Sequence, residues 1–141
     1  MNYQTLLFSP AGRINRAKFW IGMLIVTGVG VVVSILFAIL GAVVGGNEAT
    51  EPGSFSVHGV TAIPYIVLGF AYTIFIFWSS ICISIKRCHD RDRSGWFMLV
   101  GVIPVVGLWY VIEVAFLPGM PGPNRFGPDP LGQTAVQAFA A

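Results

Sequence analysis

The side chains with chemistry to offer sit in three short polar stretches. Gly12-Arg13-Ile14-Asn15-Arg16 carries two guanidiniums and an amide. Lys86-Arg87-Cys88-His89-Asp90, continued by Arg91, Asp92 and Arg93 to Ser94-Gly95-Trp96, sets an imidazole beside a carboxylate. Pro118 to Pro130 holds Asn124, Arg125 and Asp129 among five prolines and three glycines. His89-Asp90 is the pair able to move a proton or supply half a metal site, because imidazole titrates near neutrality and a carboxylate tunes it. It lacks companions: His58 is the other histidine, and no ligand set with metal spacing exists. A GxSxG nucleophile elbow, an HExxH pair and a phosphate-cradling loop are also missing. The sequence therefore names no catalytic residue, no metal and no cofactor, and His89-Asp90 reads as a buried, hydrogen-bonded corner. Cys82 and Cys88 make no disulfide framework and read as packed free thiols.

The elements that must position these motifs are apolar. Fourteen formal charges fall almost entirely outside three stretches, 19–46, 60–85 and 95–117, and only the third contains one, Glu113. A helix rises about 1.5 Å per residue and the hydrocarbon core is about 30 Å thick, so roughly 20 apolar residues cross it. All three are long enough. Hydrophobic residues make up 55% of the chain and charged ones 10%, against about a quarter charged in soluble domains, so a soluble fold is excluded. The expected fold is all-α and integral to a membrane. An interfacial segment (1–18) leads into transmembrane 1 (19–46), an outer loop (47–59), transmembrane 2 (60–85), a basic loop (86–94), transmembrane 3 (95–117) and a Pro/Gly-rich tail (118–141).

Charge sets the orientation. Arg13, Arg16 and Lys18 precede the first span, and Lys86, Arg87, Arg91 and Arg93 follow the second, whereas the loop between the spans has Glu48 and Glu51 and no Lys or Arg. By the positive-inside rule the N-terminus and the 86–94 loop are cytoplasmic. The apolar run from Phe19 is far longer than the 7–15 residues or so of a signal-peptide core, so it is a permanent span. Cations at a helix start oppose its dipole, and the basic cluster reads as a topology anchor resting on anionic lipid headgroups. Nucleic acid is not an expected partner. Gly41 and Gly45 form a small-xxx-small pair that could serve self-association or another membrane protein.

The third segment is interrupted at Pro104-Val105-Val106-Gly107, which either kinks one crossing helix or turns a re-entrant hairpin. A single crossing is the simpler physics and puts the tail outside. A hairpin puts the tail beside the basic loop, where Asn124 and Arg125 could meet Asp90, His89 or Arg13. Glu113 is the candidate intramembrane acid, five residues from Pro118 and within reach of headgroup water or a neighbouring group. Asp90 and Asp92 alternate with arginines and suggest a self-neutralising loop. The tail excludes helix and central strand and reads as a defined, largely extended cap.

Taken together the three motifs resemble the DUF805 family of small bacterial inner-membrane proteins, with its GRINR..FW, RR.HD...SGW and PG.PGPNR.G.DP signatures, over about residues 8–131. Lys86, Cys88 and Phe97 depart from the usual arginine, leucine and tryptophan. The resemblance implies a multi-pass protein of the bacterial inner membrane and no particular activity. The candidate interfacial cluster is Arg13, Asn15, Arg16, Arg87, His89, Asp90, Asn124 and Arg125. The favoured function is a non-enzymatic membrane component that binds lipids or protein partners. The alternatives are an oligomeric transporter or channel lined by Glu113, Tyr72, Ser79 and Ser80, and a lipid-modifying enzyme using His89 and Asp90.

Overall fold

The computed structural model describes residues 3–45 and 62–132, and every regular element among them is helical. A short helix α1 (Tyr3–Phe8) precedes two long ones, α2 (Arg16–Gly45) and α3 (Ala62–Asp90). A 3₁₀ helix (Gly95–Val102) follows, then α4 (Val106–Val111), whose end widens into a π-turn at Ile112–Phe116. The outer loop, with Glu48, Glu51 and His58, lies outside the described residues, as do residues 133–141.

At 1.5 Å per residue α2 and α3 are each roughly 45 Å long, more than the hydrocarbon core requires. Both are apolar enough to span. Helix α2 starts where Asn15 caps it: the Asn15 side-chain oxygen accepts from the Lys18 amide at 2.9 Å. Helix α3 runs past the expected end of its span at Ile85 and takes Lys86, Arg87, His89 and Asp90 into its last turn. Cations there complement the helix dipole. It closes in a Schellman motif, with Asp92 left-handed at φ 53 and the Asp92 and Arg93 amides donating to the carbonyls of His89 and Cys88. Aspartate tolerates that conformation better than most residues.

The chain forms two compact units, Met1–Leu24 with Trp78–Ala141, and Ile25–Phe77. The second consists of helix shafts whose large apolar side chains, among them Val31, Val32, Leu36, Ile66 and Phe70, point outward. Inside it the Phe37 and Tyr65 rings meet with centroids 6.2 Å apart. The first unit also exposes large apolar side chains, among them Trp96, Val102, Val105 and Leu108, but it has a polar interior as well. Leu6, Ile14, Phe19, Ile83, Val114 and Ala115 are buried in it alongside Lys86, Arg87, Asp90 and Glu113.

The segment from Gly95 to Leu117 does not run as one helix. Its two limbs lie side by side, with Phe97 packing against Trp109 and Tyr110 at centroid distances of 5.6 Å. A Cβ at Gly107 would come within 2.5 Å of the Gly101 carbonyl oxygen, so only glycine lets the limbs approach this closely. The tip is a γ-turn of the rarer, positive-φ kind. Val105 sits at φ 69, ψ −55, and the Val106 amide reaches back to the Pro104 carbonyl at 2.8 Å. The amides of Ile103, Gly107 and Leu108 are likewise satisfied within the turn. Each limb is roughly 16 Å long, about half the hydrocarbon thickness. The hairpin returns the chain to the end of α3 from which it left.

Candidate functional site

The polar face is organised by Asp90. One carboxylate oxygen takes Arg13, whose Nε and Nη2 donate at 3.3 and 3.2 Å, and the other takes the Arg87 guanidinium. Arg87 is fully buried and Asp90 is 2% exposed. One carboxylate cannot satisfy two guanidiniums, so the remaining donors turn to backbone. Arg13 donates to the carbonyls of Met120 at 2.6 Å and Gly122 at 2.7 Å, and Arg87 to those of Val114 at 2.7 Å and Leu117.

Those acceptors have two origins. The last carbonyls of a helix have no partner within it, and Val114 and Leu117 belong to the end of the hairpin's second limb, whereas Met120 and Gly122 lie in the tail beyond it. Trp20 takes the Ala115 carbonyl at 3.2 Å, Arg16 that of Phe116 at 3.1 Å, and Arg91 that of Pro118 at 2.6 Å. Cations from three elements thus cap one helix end, the arrangement its dipole favours. The Met120 amide answers by donating to the Asp90 carbonyl at 2.8 Å. Gly119 lies against the Asp90 carboxylate so tightly that a Cβ would overlap it.

A second layer closes over the first. Glu113, 3% exposed, receives Arg93 at 3.2 Å and Arg91 at 3.5 Å. Arg125 pairs with Asp92 at 3.2 Å. Asn124 donates to the His89 carbonyl at 2.8 Å and pairs with Gly127 across a tight turn. His89 stacks on Phe126, with centroids 3.8 Å apart and planes 4° from parallel, while its Nδ1 contacts the Gly12 carbonyl at 3.2 Å. A carbonyl only accepts, so Nδ1 carries the proton.

Of the residues singled out from sequence, Arg13, Arg87, His89, Asp90 and Asn124 meet in one hydrogen-bonded network with the tail. Asn15 works as a helix cap, Arg16 reaches the hairpin end, and Arg125 joins Asp92 instead of Asp90, His89 or Arg13. The 86–94 stretch neutralises itself only in part: Arg87 pairs with Asp90 inside it, whereas Asp92 pairs with Arg125, Arg91 and Arg93 with Glu113, and Asp90 also takes Arg13. Helix α1, Lys86, Arg91, Arg93 and Gly119 carry weight that the motif reading did not assign them. For Gly119 the signal was its place in the proline-glycine signature. For the backbone acceptors no sequence signal exists.

The family described as "Protein of unknown function (DUF805)" matches residues 7–128, nearly the whole described chain. The chain belongs to the DUF805 family. This DUF805 chain is 30% identical over 119 residues to the inner membrane protein YhaH of Escherichia coli K12, covering 84% of each. It is 31% identical over 121 residues to the inner membrane protein YhaI of the same strain, covering 85% of this chain and 84% of that one. The uncharacterized protein YiiR of that strain is 27% identical over 154 residues, covering 92% of this chain and 90% of YiiR. No solved structure matches. All three DUF805 signatures lie on the same polar face: the first supplies Arg13 and Asn15, the second Arg87, His89 and Asp90, the third Gly119 and Asn124.

Proposed function

We propose that this protein is a two-span component of the bacterial inner membrane with a half-inserted hairpin, and that its polar face lies on the cytoplasmic side and binds lipid headgroups or a membrane-protein partner without catalysis. The observation that carries the reading is how the Asp90 network spends its groups. Both Asp90 oxygens are taken by arginines, His89 is held by a carbonyl and a ring, and Glu113 is paired with Arg91 and Arg93. A general acid or base needs a free hydrogen-bonding position toward substrate; the Asp90 and Glu113 carboxylates are used to fix the chain, and His89 alone keeps one, at Nε2. Glu113, so paired, gives no support to a conduction pathway. The hairpin supports the sidedness: its limbs are too short to cross, and the tail rejoins the basic end of α3.

The test is accessibility labelling. With Cys82 and Cys88 buried, cysteines introduced as Ser94→Cys and Leu131→Cys should both resist an impermeant maleimide in intact cells and react after permeabilisation. Labelling of Leu131→Cys from outside removes the proposed topology. Turnover of a lipid by the purified protein that disappears in His89→Ala removes the non-enzymatic reading.

A further inference from the structure

Lys86 is 4% exposed, and its ammonium donates to the carbonyls of Thr5 and Leu6 at the end of α1. No carboxylate lies within ion-pair distance of it among the described residues. Two carbonyls satisfy hydrogen bonds but do not balance a charge, and an uncompensated buried cation is costly. Lys86 borders an open notch of about 240 Å³ together with Leu6, Gly12, Arg13, Ile14 and Lys18. No acidic side chain lines it.

Two further observations bear on what the notch can hold. The amides of Gly12, Arg13 and Ile14, in a turn where Gly12 takes φ 91, meet no acceptor among the described residues. Successive free amides in such a turn form a concavity that favours oxygen anions. The Lys18 ammonium also makes no hydrogen bond or ion pair among the described residues. Arg13 contributes field rather than donors, because its own are spent on Asp90 and the tail.

The position decides which anion. The notch sits where α2 begins and α3 ends its apolar run, and about two turns before Lys86 on α3 the Trp78 indole donates to the Phe8 carbonyl at 3.2 Å. Tryptophans of this kind mark headgroup depth. We infer that the notch holds the phosphate of an anionic phospholipid, with Lys18 and Lys86 as its charge partners and the Gly12–Ile14 amides as its hydrogen-bond donors. This deepens the lipid-binding reading above and rests on the polar face lying at a membrane surface.

Native mass spectrometry from nanodiscs of phosphatidylcholine with and without phosphatidylglycerol tests it. The wild type should retain phosphatidylglycerol in preference to phosphatidylcholine. Lys18→Gln should lose about fivefold in retention, the value of one basic residue at an anionic surface, and Lys18→Arg should restore most of it. Arg125→Gln, the same charge change at an exposed side chain that does not line the notch, should lose clearly less. Lys18→Gln is the decisive variant because its side chain holds no structural bond, whereas Lys86→Gln also releases α1. Equal loss in Lys18→Gln and Arg125→Gln reduces the effect to net charge and overturns the site. Displacement of the lipid by inorganic phosphate would assign the notch to a soluble anion and overturn the lipid source. Nanodiscs expose both faces, so failure here is separate from failure of the labelling test of sidedness.

Discussion

The two units of this protein differ in what they hold inside, although both turn large apolar side chains outward. Along Ile25–Phe77 the apolar side chains face out and little is held inside, whereas in the other unit ions are inside and their partners are carbonyls and opposite charges. The first arrangement is stable only where the surroundings are themselves apolar, since lipid solvates an outward Leu36 as well as a protein core does. The second needs every donor matched, because a buried charge without a partner costs several kcal/mol. Tolerance to substitution should therefore differ sharply between them.

The largest effect should come from Asp90→Ala, which leaves Arg13 and Arg87 buried without their shared carboxylate. A loss of about 3–5 kcal/mol is expected, read as a collapse of monodisperse protein in mild detergent. Gly119→Ala pushes a methyl into the same carboxylate and should cost about 1–3 kcal/mol, measured as a lower unfolding temperature. Glu113→Ala should cost less, about 1 kcal/mol, because Arg91 and Arg93 are partly exposed and water screens them. Equal damage from Glu113→Ala and Asp90→Ala would show that the layers are not ranked by burial. Phe126→Leu removes the stack on His89 and should cost about 0.5–1 kcal/mol. In the shafts, Leu36→Val should stay within about 0.5 kcal/mol. A shaft substitution as harmful as Gly119→Ala would break the contrast, since it would mean that Leu36 meets protein.

How far these features could be read from sequence follows the same division. The long helices were legible because charge avoidance over many residues is a signal summed along the chain, and the bilayer sets its length. The break at Pro104 to Gly107 was legible as a break, but choosing hairpin over kink needed the Gly101 to Gly107 approach, a contact between residues that no periodicity links. Helix α3 continues to Asp90, past the apolar span read as 60–85: Lys86 and Arg87 look like a loop when counted as charges, yet their helix carries them inward to backbone acceptors. Asp90 and Arg13 stood out by type. Their partners on the tail did not, because carbonyl oxygens of Met120, Gly122 and Leu117 carry no residue-specific mark. Short α1 has neither the length nor the charge pattern to announce itself, and Lys86 and Trp78 tie it down through its carbonyls.

The route by which Arg13 is satisfied bears on how the protein is made. Its partners lie at residues 90, 120 and 122, so during synthesis Arg13 waits for about a hundred further residues to be translated before its donors are filled. A chain released early, with both spans inserted but no tail, would present unmatched guanidiniums at the membrane surface, a ready mark by which quality-control proteases could tell unfinished copies from complete ones.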